Sequence, residues 1–247
     1  MSKKILLAGE SWTSFTTHVK GFDTFYTSVY EEGVEFIGNA IKEAGYELVY
    51  MPNHYAPVKF PYTVEELQEY ACVILSDIGS NTLLLPPDTF AKGAVHPNRC
   101  QAIKDYVLNG GALLMVGGYI SFSGIDGKAR YQTTPIQDVL PVECLKVDDR
   151  EEHPEGIKPY LVEKHPALKD IDGDWPALLG YNRTLPKENC PVPVKIGNDP
   201  LVAFGHFGKG KSAVFTSDCA PHWGTMEFVD WKGYNTLWKG ILDYITK

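Results

Sequence analysis

Between Gly110 and Gly124 the chain reads Gly-Gly-Ala-Leu-Leu-Met-Val-Gly-Gly-Tyr-Ile-Ser-Phe-Ser-Gly, an apolar run framed by glycine pairs. The pattern predicts a helix that stops at Gly110, a strand over 112–116, and a break at Gly117-Gly118 into a hydroxyl-rich turn. In an open α/β sheet, ligands gather at the carboxyl end of such a strand. A sharp turn there often presents a reactive Ser or Cys. Here the tip carries Tyr119, with Ser121 and Ser123 beyond it and no cysteine.

The preceding residues supply the rest of such a sheet. Residues 5–8, 47–50 and 71–75 read as the first three strands and 112–116 as the fourth. Val34, Ile37, Ile41 and Ala44 recur at helical spacing, and Gly45 stands where a helix stops. Thr63 and Glu66 have capping-box spacing, and Pro97 opens a helix whose Ile103 and Val107 face inward. Strands alternating with helices predict right-handed crossovers and an α/β, flavodoxin-like, mostly parallel sheet flanked by helices. The expected strand order is 2-1-3-4, with a switch point between the first and third strands.

The second half differs in texture. Residues 142–147, 160–163, 192–196, 201–207 and 212–217 are short strand candidates separated by prolines and glycines. They predict an antiparallel β excursion, a β-rich insertion over about 141–200, at the sheet edge. Residues 235–246 close the chain as an amphipathic helix, with Trp238, Ile241, Leu242 and Ile245 on one stripe. No linker-like stretch or repeat interrupts the 247 residues, so one domain over 1–247 is expected.

Charge and composition exclude several classes. Lys and Arg number 23 against 31 Asp and Glu, a net charge of −8 that disfavours a nucleic-acid partner. No run approaches the roughly 18 apolar residues of a membrane span, and the amino-terminal apolar stretch is too short for a secretory signal. The five cysteines (72, 100, 144, 190 and 219) show no CxxC spacing, which fits reduced thiols and a cytoplasmic location.

Several motifs fail on inspection. Gly205 to Ser212 matches the P-loop string GxxxxGK[ST], but Ala-Val-Phe-Thr-Ser follows where the chemistry needs a helix amino terminus. A glycine-rich hairpin turn is the better reading. His153-Pro154-Glu155 resembles the His-x-Glu of a catalytic triad, yet it lies in the charged run 148–155, which reads as a solvated loop. Cys219 and His222 have no second pair at metal-ligand spacing, so no metal is expected.

What remains is a set of polar segments at four strand ends. The first strand runs into Glu10-Ser11-Trp12, the third into Ser76-Asp77, the fourth into Gly118-Tyr119 with Ser121, and the last into Asp218-Cys219 with His222-Trp223. Carboxylates there can hold a hydroxyl-rich ligand or act as a base, His222 can move a proton near neutral pH, and Trp12 and Trp223 can stack on a ring. Each also has a structural reading: Asp77 as a turn cap, Asp218 as a backbone acceptor, His222 as a satisfied buried imidazole, the tryptophans as core. Their shared position is what favours a site.

These residues carry a resemblance. Ala8 to Trp12, Gly110-Gly111, Gly117-Gly118-Tyr-Ile-Ser-Phe, Thr134-Pro135 to Leu140-Pro141, and Phe215 to Asp218 with Pro221-His222-Trp223 resemble the class I glutamine amidotransferase-like superfamily. The likeness is greatest to its bacterial cytoplasmic members of unassigned activity. The resemblance implies a flavodoxin-like sheet and, in active members, an elbow cysteine after the strand matching 112–116, assisted by a His and a Glu. The elbow position here falls at Tyr119, and Asp218-Cys-Ala-Pro-His222 stands in place of His-x-Glu. Tyrosine is a poor acyl acceptor and bulky for a tight elbow.

The leading expectation is therefore an amidotransferase-like protein without glutaminase activity and without a cofactor, binding or hydrolysing a small polar metabolite. Its candidate catalytic residues are Asp218, His222 and Cys219; its candidate ligand contacts are Glu10, Ser11, Trp12, Asp77, Gly118, Tyr119, Ser121 and Trp223. Two alternatives stay open. Ser11, Thr13, Ser14, Thr16 and Thr17 would form a phosphate loop in a flavin- or phosphate-binding flavodoxin-like protein. Exposed aromatics would suit a homo-oligomer, as in a non-catalytic assembly module.

Overall fold

Alternate residues of β1 (Lys4–Gly9) enter two different cores: Ile5 and Leu7 pack on one side of the sheet, Leu6 and Ala8 on the other. The same division splits β5 (Cys72–Ser76) and β6 (Ala112–Val116), so apart from Lys4 and Ser76 at strand ends these strands are apolar throughout, because both faces are covered. The computed structural model describes residues 3–171 and 173–247. With β4 (Glu47–Met51) and β14 (Gly210–Phe215), these strands form a five-stranded parallel block in the order β4-β1-β5-β6-β14. In order along the chain this is 2-1-3-4-5, the flavodoxin-like arrangement, with its crevice where β1 and β5 lead in opposite directions.

The helices Glu35–Glu43 and Tyr234–Ile245 cover one face, and Arg99–Leu108 covers the other. Leu237, Trp238, Ile241, Leu242 and Ile245 are the buried stripe of the last helix. Each such side chain contributes about 1.5–3 kcal/mol by leaving water. The capping box at Thr63 and Glu66 forms as its spacing predicts. Pro97 does not open its helix: Asn98 is the cap, its Oδ1 accepting from the amides of Cys100 and Gln101 at 2.9 and 3.2 Å.

Antiparallel strands extend the sheet beyond β14 through β13 (Asp199–Phe207), β12 (Val194–Ile196) and β9 (Tyr160–Leu161). The P-loop-like string lies on the β13–β14 hairpin, with Phe207 opposite Gly210. Two small sheets stand apart from the main one, β7 (Val142–Cys144) with β11 (Thr184–Pro186) and β8 (Arg150–Ile157) with β10 (Leu178–Asn182). The charged run expected as a solvated loop is thus largely strand, pairing with β10 through its backbone while His153 and Glu155 meet at 3.0 Å near the surface.

The largest departure from the sequence reading is at residues 11–32. The hydroxyl-rich segment is no phosphate loop: β2 (Ser11–Lys20) and β3 (Asp23–Glu32) form a ten-rung antiparallel ribbon closed by Gly21-Phe22. Threonines among Phe, Val and Tyr favour strand, and a two-residue link with Gly21 at φ 63° suits a hairpin. The hydroxyls of Thr13, Ser14, Thr16 and Thr17 alternate between the ribbon's faces and do not converge on one anion, which removes the physical basis of the flavin alternative.

Candidate functional site

β1 and β5 each end in an acidic residue forced into the left-handed region, Glu10 at φ 50° and Asp77 at φ 45°. Non-glycine residues rarely adopt this backbone, and such strain gathers at functional sites. The approach of the two strand ends requires Gly9: a Cβ there would lie 1.6 Å from the Ser76 carbonyl oxygen. The Glu10 amide donates to that same carbonyl at 3.0 Å, and the Ser76 hydroxyl donates to Glu10 Oε1. Beyond β14, Asp218 accepts from the Ala220 amide at 3.1 Å and faces His222 Nδ1 at 3.5 Å.

Glu10, Trp12, Asp77, Tyr119, Asp218, Ala220, Pro221 and His222 line one cavity of about 350 Å³. The sequence reading had placed six of these at strand ends. Glu10 is 2% exposed, and burial together with the Asp218 and Asp77 charges pushes its carboxyl well above the ordinary value. Burial, then Asp218, lifts Asp77 to about 6, against the lowering effect of the Ile120 amide that donates to it at 2.7 Å. His222 moves up as well, because the hydrogen bond to Asp218 favours the imidazolium over the cost of partial burial. The cavity therefore combines a carboxyl shifted towards its protonated form at Glu10, a carboxylate at Asp77 that titrates at about 6, and a His222 imidazole shifted towards its charged form by Asp218.

Tyr119 forms one wall and is fixed from three sides. Its hydroxyl donates to Glu152 at 2.9 Å, its ring meets His222 edge-on at 4.5 Å, and the Arg150 guanidinium lies 4.9 Å from the ring centre. Arg150 is itself held by Asp148 through contacts of 3.0 and 2.8 Å. Glu152 also accepts from Trp223 Nε1 at 3.0 Å.

The other sequence candidates lie off the cavity. Ser11 is buried and accepts from the Asn53 amide at 2.8 Å. Ser121 is buried between Asp77 and Val116, accepting from one amide and donating to the other's carbonyl. Trp223 is buried behind Tyr119. Gly118 has φ 148° and lets Asp77 pack against it, since a Cβ there would sit 2.7 Å from the carboxylate.

Cys219 is wholly buried, 3.8 Å from the Ser76 hydroxyl, and burial first, then the neighbouring acids Glu10 and Asp218, pushes its thiol well above the ordinary value. Its sulfur and the carboxylates of Glu10 and Asp218 lie within 4.8 Å of one another. An ion there would have to displace the thiol proton that burial holds in place.

A buried brace behind the cavity escaped the sequence reading. Asn182 accepts from the Gly118 amide at 3.0 Å and donates to Asp149 at 2.8 Å, while Asp149 accepts from the amides of Ser123 and Gly124 at 2.8 and 2.9 Å. Burial nonetheless lifts Asp149 to about 6. Neither residue belongs to a recognisable motif. The one signal was a buried-type turn rich in backbone donors after β6, which requires an acceptor from somewhere.

A family model described as "Putative glutamine amidotransferase" matches residues 4–247. The chain belongs to that family. Among solved structures it is similar to the cytoplasmic protein STM3548 from Salmonella typhimurium, with 45% identity, a TM-score of 0.94 and 98% of each chain covered. It is equally similar to the cytoplasmic protein STM1381 from Salmonella typhimurium LT2, with 45% identity, a TM-score of 0.95, and 99% of this chain and 100% of that one covered. A ThuA-like protein from Parabacteroides merdae, 10% identical at a TM-score of 0.59 over 100% of this chain and 91% of its own, shares the fold. No curated protein matches. Among the described residues, no helix is long and apolar enough to cross a membrane.

Within this amidotransferase-like family, the turn after β6 bears directly on acyl chemistry. A glutaminase needs a nucleophile there and free amides to receive an oxyanion. Tyr119 occupies the turn with its hydroxyl committed to Glu152, and the amides of Gly118 and Ile120 on either side are already donated to Asn182 and Asp77.

Proposed function

We propose that this amidotransferase-like protein has kept the family's pocket and lost its thiolate chemistry. It binds a small hydroxyl- or amino-bearing metabolite, such as a sugar or an amino acid, and acts on it by proton transfer. The observation that carries this reading is the meeting of Glu10, Asp77, Asp218 and His222 in one cavity of about 350 Å³, beside a turn whose amides are already occupied. A general base works best with a pKa near the working pH, and Asp77 at about 6 meets that requirement. His222, oriented by Asp218 and shifted by it towards the imidazolium, supplies the complementary acid at the cavity mouth, and Glu10, shifted towards its protonated form, lines the floor. Trp12, partly exposed at the rim, offers a ring face to an apolar edge of the ligand.

The test is an activity comparison. Incubation with glutamine is expected to release no ammonia above background. A hydrolase screen over small amides, esters and glycosides should find turnover that falls by about 10²-fold or more in His222→Ala and Asp218→Asn with folding unchanged. Glutamine hydrolysis abolished by Cys219→Ala would overturn the reading.

A further inference from the structure

The β2–β3 ribbon lacks a second layer. At about 3.3 Å per residue its ten rungs span roughly 33 Å, and beyond its root, where Ser11 holds Asn53 and the Tyr30 ring meets His54 at 5.0 Å, its strands pair with each other and, among the described residues, with no other strand. The register sorts its side chains into two unequal faces. One carries Trp12 beside Glu31, His18 stacked on Phe25, and Lys20 opposite Asp23, so it holds charges and internal partners. The other has Phe15, Val19, Tyr26 and Tyr30 with threonines and a serine between them, and its one charge, Glu32, stands at the arm's root, where it accepts from the Tyr30 hydroxyl at 2.6 Å. Phe15 is 78% exposed, Tyr26 73% and Val19 69%. An isolated two-stranded ribbon is marginal in water, and an aromatic face of this kind, uncharged beyond its root, is normally the inner face of a sandwich.

We infer that this face docks on the same face of a second copy of the chain, the two ribbons stacking as a four-stranded, two-layered sandwich across a two-fold axis. Three features favour a second copy. Scaling about 200 Å² for an aromatic side chain by exposures of 78, 73 and 45%, Phe15, Tyr26 and Tyr30 leave on the order of 400 Å² per arm in water, and Val19 with the exposed threonines between them brings the face towards the roughly 800 Å² per partner of a stable interface. Beyond Glu32 at its root the face has no charge to repel its own image, although the chain as a whole carries −8. That net charge, with Glu31 and Glu32 at the arm's root, also opposes an anionic membrane surface.

Docking would also bear on the cavity. Trp12 sits at the arm's root, lines the cavity, and donates to Glu31 across the ribbon at 3.0 Å, so fixing the arm fixes one wall.

The experiment is the solution mass of the full chain by sedimentation, with Phe15→Lys/Tyr26→Lys and Thr16→Lys compared. The native chain is expected at twice its 27.5 kDa mass, undiminished in 1 M salt because no ion pair holds the interface. The double variant should weaken association at least about 100-fold and sediment as a monomer. Thr16→Lys, on the other face, should leave the dimer intact. The tryptophan band of the near-UV circular dichroism should be the same in all three, since Phe15, Thr16 and Tyr26 lie on the exposed arm beyond its root. A native monomer at 100 µM, a double variant that stays dimeric, or dissociation by Thr16→Lys would each overturn the inference.

Discussion

Replacing Asp77 by asparagine is expected to make the protein more stable above neutral pH while depriving the cavity of its base. The native carboxyl has its pKa raised from the ordinary 3.8 to about 6, chiefly by burial and next by Asp218. Between these values the folded state binds a proton that the unfolded chain has released, so native stability falls as pH rises through that window. The stability is fully present below about pH 4 and lost above about pH 6, a difference of about 3 kcal/mol for a shift of two units. Asparagine keeps an Oδ1 for the Ile120 amide, bonded at 2.7 Å in the native chain, and has nothing to ionise. The variant should therefore match the native chain near pH 3 and exceed it by about 3 kcal/mol at pH 8, some 6–12 °C in midpoint for a chain of this size. Urea unfolding at half-unit pH intervals measures the difference directly. A variant less stable than native at pH 8, or a difference that does not change between pH 3 and 8, would refute the buried-carboxylate reasoning.

Three further outcomes follow from the same geometry. Tyr119→Cys should not produce glutamine hydrolysis, because the amides of Gly118 and Ile120 stay bonded to Asn182 and Asp77; ammonia release well above background would show that only the nucleophile was missing. Alkylation of the native protein should modify partly exposed Cys190 first and leave buried Cys219, whose thiol is held neutral, unlabelled until unfolding, as read by peptide mass spectrometry. In Asp218→Asn the His222 pKa should fall towards its ordinary value, since the hydrogen bond to Asp218 is the main influence raising it; a nitrogen-15 NMR titration of the imidazole reports the change.

The parallel core was legible because strands covered on both faces need apolar residues throughout, and the runs at 5–8, 71–75 and 112–116 show this without ambiguity. Six cavity residues were legible for a related reason: an α/β sheet delivers whatever follows its strands to one rim. The roles of the others were hidden by small differences in direction. Ser121 and Trp223 follow the right strands but turn inward, and only backbone φ values such as 148° at Gly118 decide that. Glu152, Arg150 and Asn182 come from β8 and β10, far away in sequence, and reach the site through tertiary packing that no local spacing encodes. The ribbon at 11–32 was misread because Ser and Thr serve both turns and exposed strands; the alternation with Phe, Val and Tyr was the better signal.

The proton-transfer pocket is tested most directly by a ligand-stabilisation screen over amino acids, sugars and nucleotides, run on the native chain and on His222→Ala and Asp77→Asn. A ligand at 100 times its Kd adds about 2.7 kcal/mol, easily seen as a midpoint shift. The expected result is a small set of hydroxyl- or amino-bearing compounds that raise the native midpoint and lose that effect in both variants. A screen in which no compound shifts the native chain, or in which the shift survives both substitutions, would contradict the assignment of this cavity.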